Sequence, residues 1–144
     1  MIIWLTGQPG SGKSTIANLM SLEDSNVFCI DGDELRKVLG NPGYGEDGRR
    51  QNIKNAQNIA LFAQSKGFLV VVSLIAPYRD LREEFKKRAE VCEVYLHTED
   101  VRGRENFFVK EYEPPLEDFL DLDTGKMSIT ECVDKIKTFA NKGD

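Results

Sequence analysis

Apolar positions follow two alternating rhythms along this chain: short apolar-rich runs, and longer stretches with an apolar residue at every third or fourth position. Ile2 to Leu5, Val27 to Ile30, Phe68 to Leu74, Val91 to Leu96 and Phe119 to Leu122 are the runs. Their length and β-forming content predict strands. The apolar stretch from Phe68 to Leu74, interrupted at Ser73 alone, predicts a central strand covered on both faces. Helical spacing predicts Ser14 to Leu22, with Ile16, Leu19 and Met20 on one side, and a short Glu34 to Leu39 ended by Gly40, Asn41 and Pro42. A longer helix is predicted from about Asp47 to Lys66, with Ile53, Ala56, Ile59, Ala60 and Ala63 as its stripe. Pro77 suits the first position of a basic helix through Ala89. Ser128-Ile-Thr-Glu131 fits a capping box opening the last helix, to about Asn141. Thr98 to Pro115 is polar and irregular, which predicts a lid or loop. Strands alternating with helices predict an α/β fold, a five-stranded parallel sheet with helices on both faces, in a single domain over 1–144.

The link between the first strand and first helix reads Gly7-Gln-Pro-Gly10-Ser11-Gly12-Lys13-Ser14-Thr15. This is the P-loop spacing in its strand–loop–helix setting. Glycines let successive backbone N–H groups turn inward around phosphate oxygens. Lys13 supplies a point charge, Ser14 a Mg²⁺ ligand, and the helix its positive end. The alternative, a glycine-rich turn that binds nothing, leaves Lys13 and Ser14 without a reason for their spacing. The loop by itself does not separate a kinase from an NTPase switch or motor.

Composition narrows the partners. The chain has 144 residues and a formal net charge of −5, with a pI near 5.0. That argues against broad attraction to nucleic acid or anionic lipid. No apolar run reaches membrane-spanning length and no signal peptide is visible, so the expected location is cytoplasmic. Cys29, Cys92 and Cys132 sit apart in apolar stretches, as buried thiols in a reducing compartment would. His97 ends a strand and is expected to be structural.

Asp31-Gly-Asp33-x-x-Arg36 follows the second strand, at the carboxyl edge of the sheet. Two carboxylates there suit Mg²⁺ held through water, or a proton taken from an acceptor hydroxyl. Asp33 is also expected to cap the helix carrying Leu35 and Val38, leaving Asp31 for chemistry. No later apolar strand is read as ending in Asp, so this pair is the metal-side candidate. Arg36 and Arg49 lie beyond helix breaks near the crevice, where guanidinium forks suit phosphate or sulfate. Arg50 is read as a solvated surface cation.

Taken together, GQPGSGKST, IDGDELR, GYGEDGRRQNI, LIAPYRDLR, EYEPP and LDLDTGKMSITECVDKI resemble the adenylylsulfate kinase (APS kinase) family from end to end. The resemblance implies a P-loop NTPase-type sheet with a short lid. It implies an ATP- and Mg²⁺-dependent enzyme that phosphorylates the 3′-hydroxyl of adenylylsulfate to give PAPS. Carried over by motif, the ATP side is Gly7, Gly10, Ser11, Gly12, Lys13, Ser14, Thr15 and Arg102. Lys13, Asp31 and Asp33 are implied as catalytic, and Ser14 and Asp31 as metal partners. Asp33, Arg36, Tyr44, Arg49, Asn52, Ile75 and Phe108 are implied on the acceptor side, Tyr44 where the family usually has Phe stacked on adenine. The partner is a small molecule, not nucleic acid or membrane, and the resemblance leaves room for a homodimer.

Two departures stand out. The family usually has Ser before the Pro of S-P-Y-R, a position proposed to carry a transient phosphoryl group. Here it is Ala76, which leaves direct in-line transfer. The lid lacks several residues, and Glu99 replaces the Arg thought to pack on the ATP adenine. Arg102 and Gly103 stand for a Lys-Gly pair, Arg104 or Lys110 is left to supply the cation, and Phe107 or Phe108 to cover the acceptor base. A related kinase acting on a nucleoside, sugar or nucleic-acid end is the nearest alternative, followed by a nucleotide-binding module without turnover.

Overall fold

The computed structural model describes residues 1–100, Gly103 and 107–142. Among the described residues, ten elements follow in the order β1 (Ile2–Thr6), α1 (Lys13–Glu23), β2 (Val27–Asp31), α2 (Gly32–Leu39), α3 (Glu46–Ser65), β3 (Leu69–Ser73), α4 (Arg79–Arg88), β4 (Val91–His97), β5 (Phe119–Asp123) and α5 (Ile129–Asn141). The strands form one sheet in the order β2-β3-β1-β4-β5, with every neighbouring pair parallel. β1 is therefore the middle strand, with β3 beside it.

Burial on both faces explains why β1 and β3 read as near-continuous apolar runs. Ile2 and Trp4 face one core with Val70 and Val72, against Ile53, Ala56 and Ala60 of α3 and Leu81 and Phe85 of α4. Ile3 and Leu5 face the other with Val71, Val94 and Leu122, against Ile16 and Met20 of α1 and Val133 and Ile136 of α5. The small residues of α3 let that helix lie close on the sheet. Among the described residues no helix is long and apolar enough to cross a membrane.

Three local expectations are corrected. The cap of α2 is Asp31, whose Oδ2 accepts from the Glu34 N–H at 3.0 Å; Asp33 is exposed in the first turn. β2 runs one residue further than expected, and that places Asp31 at the position where a carboxylate meets the helix's orphan N–H groups. β5 also ends in a carboxylate, Asp123, but its Oδ1 accepts from the Gly125 N–H at 2.9 Å and serves the turn. Helix α4 begins at Arg79 rather than Pro77. Ala76 turns the chain with φ 47, and the Pro77 carbonyl accepts from Glu113 N–H at 2.9 Å. The capping box of α5 forms as expected, Ser128 Oγ accepting from Glu131 N–H at 3.1 Å and Glu131 Oε1 from Ser128 N–H at 3.2 Å.

Candidate active site

A cavity of about 990 Å³ opens at the carboxyl ends of the strands, where open α/β sheets place their ligands. One end is the loop between β1 and α1. Gly7 has φ 155, and a Cβ there would come within 2.3 Å of the Leu96 carbonyl oxygen, so only glycine lets the loop leave the sheet here. Gly12 precedes α1 with φ 105, and no side chain caps that helix. Gly12, Lys13, Ser14 and Thr15 all line the cavity, so the positive end of α1 faces into it. Lys13 is 9 % exposed; its Nζ donates to the carbonyls of Gly7 at 2.9 Å and Gln8 at 3.0 Å and to Ser11 Oγ at 3.4 Å. The ammonium is thus held inside the cradle.

Ser14 Oγ donates to Asp31 Oδ1 at 3.5 Å, while the other Asp31 oxygen caps α2. Pairing of Asp31 with Ser73 in the β2–β3 ladder places a second hydroxyl alongside. Asn52, 1 % exposed, donates through Nδ2 to the Gly32 carbonyl at 3.3 Å. Asn52 Oδ1 and Ser73 Oγ are buried with no hydrogen-bond partner among the described residues, and both residues line the cavity. An unpartnered buried polar atom costs about 1–3 kcal/mol. Two of them at one cavity fit a site completed by a polar ligand.

Beyond Asp31 the wall carries Asp33, Arg36, Tyr44 and Arg49. Arg36 donates to the Gly43 carbonyl at 2.5 Å, and its guanidinium lies 4.2 Å from the centre of the Tyr44 ring. Arg49 pairs with Glu111 at 2.6 Å. Arg50 turns away, bound to Glu46 at 2.8 Å and Asp80 at 2.9 Å, and it holds the Asp80 carboxyl below its usual range. Ile75, Phe107 and Phe108 complete this end.

The cavity gathers most of the residues singled out from sequence, but not all. Gly7 packs on Leu96, and Ser11 is buried under the loop, so neither lines it. Arg102 and Arg104 lie outside the described residues, and Lys110 is exposed away from the cavity. His97 pairs with Asp121 at 3.0 Å, also outside it. The three cysteines are free, and burial raises each thiol, Cys92 to about 12, so they are not thiolates at neutral pH.

Several residues in and around the cavity had escaped notice. Thr124 follows β5 and donates to the Ser11 carbonyl at 2.6 Å, tying the phosphate loop to the far side of the sheet. With Met127, Ile129 and Cys132 it walls an apolar lobe beyond Thr15. Its place just past a strand's carboxyl end was the available signal. Gln8 pairs with the backbone of Val109 through two hydrogen bonds, 2.8 and 2.9 Å. Thr6 Oγ1 donates to the Ile75 carbonyl at 2.6 Å and shares a 2.9 Å bond with Tyr112, whose phenol burial keeps protonated.

A phosphate loop after the middle strand of a parallel sheet, facing a carboxylate at the end of β2, defines a P-loop enzyme of the kinase type. A family model described as adenylylsulphate kinase matches residues 1–106. An adenylyl-sulfate kinase from Burkholderia ambifaria is 30 % identical over 92 % of this chain and 87 % of its own. This chain therefore belongs to the adenylylsulphate kinase family and is a kinase. Among solved structures, a Mycobacterium tuberculosis APS kinase in complex with AMPPNP and APS superposes with TM-score 0.87 over 97 % of this chain and 96 % of its own, at 24 % identity. A Sinorhizobium meliloti gluconokinase shares the fold at TM-score 0.69 and 21 % identity, covering 97 % and 91 %.

Proposed function

We propose that the protein transfers the γ-phosphoryl group of ATP directly to the 3′-hydroxyl of adenylylsulfate, giving PAPS. One observation carries this reading: a single cavity joins the phosphate loop to a wall of Arg36, Tyr44, Arg49 and Phe108, with Asp31 also lining it. Family membership supplies the acceptor, and the wall suits it. Arg36 and Arg49 offer guanidinium forks to phosphate and sulfate oxygens. Tyr44 and Phe108 offer faces to a purine. Asn52 Oδ1, left without a partner, suits a sugar hydroxyl or an amine.

The chain's part in the reaction is mainly positioning and charge. Lys13 and the loop amides hold the donor phosphates and stabilise charge that develops on the transferring group. Asp31 lies where it can orient the acceptor hydroxyl and take up its proton. Ser14 and Asp31 form the oxygen pair that Mg²⁺ carried on nucleotide phosphates needs from a protein, and Ser73 adds a neighbouring hydroxyl. The ion's contribution, when bound, is to neutralise charge on the phosphate oxygens. Ala76 has no hydroxyl to accept a phosphoryl group, which supports direct transfer. We take Asp33, exposed on the rim, as an acceptor contact, and the 98–115 segment as the cover that excludes water.

Arg49→Ala tests the acceptor assignment. It removes one charge-assisted contact, so adenylylsulfate affinity falls about tenfold while affinity for the ATP analogue AMPPNP changes less than about twofold. Titration calorimetry with each ligand separates the two. Equal loss for both, or none for adenylylsulfate, moves the acceptor elsewhere.

A further inference from the structure

We propose that Gln8, inside the phosphate loop, is a positioning residue that sets the cover over the acceptor and ties that cover to the donor site. This rests on reading 107–109 as the acceptor-side cover. The Gln8 carboxamide donates to the Val109 carbonyl at 2.8 Å and accepts from the Val109 N–H at 2.9 Å. A primary amide used this way reproduces one rung of a strand ladder, so the loop side chain acts as a short edge for the cover to pair with. Val109 is 5 % exposed and is the one buried residue of 107–113, which makes it the anchor of that stretch. Phe107 and Phe108, directly before it, line the cavity.

The same residue touches the donor side. Its backbone carbonyl accepts from Lys13 Nζ at 3.0 Å. Incoming phosphates compete for that ammonium, so the hold on the Gln8 carbonyl changes when nucleotide binds, and the side chain carries the change to Val109. Ordering of the cover and binding of nucleotide are then coupled, and the coupling acts in both directions. Any apolar residue at position 8 would keep the loop's backbone path, which the glycines set, and lose the link.

Gln8→Leu separates this from a structural role. In the wild type, hydrogen exchange at the Val109 amide is protected, and AMPPNP with Mg²⁺ deepens the protection. In Gln8→Leu the protection falls about tenfold and no longer responds to nucleotide, while amides of β1 and α1 keep theirs. In steady state the KM for adenylylsulfate rises about five- to tenfold and kcat changes less than about twofold. Unchanged Val109 exchange, or a fall in kcat with KM constant, overturns the proposal. The exchange arm needs no acceptor: if the wild type fails to use adenylylsulfate, the acceptor reading fails and the link from Gln8 to Val109 is still decided.

Discussion

Replacing Lys13 with methionine lowers phosphoryl transfer by about 10²–10³-fold while the protein stays folded. The ammonium is placed inside the cradle, 9 % exposed and held by the Gly7 and Gln8 carbonyls and Ser11 Oγ. Charge that builds on the transferring phosphoryl group needs a fixed counter-charge in a site from which water is excluded, and the loop amides supply only part of it. Methionine keeps most of the side chain's length and packing, so the loss reports the charge rather than a collapsed loop. The check is single-turnover transfer alongside thermal unfolding. A variant within tenfold of wild type contradicts the assignment of Lys13.

The second large effect concerns a pair far from the reacting atoms. Glu93 on β4 and Arg82 on α4 are 1 % and 3 % exposed and meet at 2.8 Å, with Lys86 adding a second bond to Glu93 at 2.9 Å. Arg82 also donates to the carbonyls of Ala76 and Glu113. It thus joins the turn after β3 to the segment that leads into β5. Glu93→Gln leaves a buried guanidinium without its counter-charge, and stability falls by about 3–5 kcal/mol. For a chain of this size that is a drop of roughly 10–20 °C in Tm. Making Arg82→Met with Glu93→Met recovers part of the loss, because no lone charge remains buried. The recovery is incomplete, because the Ala76 and Glu113 carbonyls lose their donor. Urea unfolding of the two variants measures this, and Glu93→Gln as stable as the wild type contradicts it.

The features legible in the sequence were those carried by local chemistry. Glycine spacing before Lys13 fixes the phosphate loop because the requirement is on the backbone itself. Ser128 and Glu131 find each other because a capping box closes within one turn. The strands were legible as apolar runs because both faces of the sheet are covered.

What sequence reasoning missed was supplied by residues distant along the chain. Helix α4 starts two residues late because Glu113 accepts from the Arg79 N–H at 3.0 Å and takes the place of a local cap. The capping role moved from Asp33 to Asp31 because β2 runs one residue further than its apolar run. Gln8 meets Val109 across 101 residues and Thr124 meets Ser11 across 113, and neither pair leaves a periodic signal. The separation of Arg49 from Arg50 was visible in outline. Its physical basis, Arg50 locked between Glu46 and Asp80, needed α4 in place.

The central claim is the destination of the phosphoryl group. The direct measurement incubates the protein with γ-labelled ATP, Mg²⁺ and adenylylsulfate, beside parallel reactions with gluconate and a set of nucleosides, and locates the label by ³¹P NMR. The account predicts label on the 3′-hydroxyl of adenylylsulfate and none on the other acceptors. Label on a sugar or nucleoside with adenylylsulfate left unchanged contradicts it.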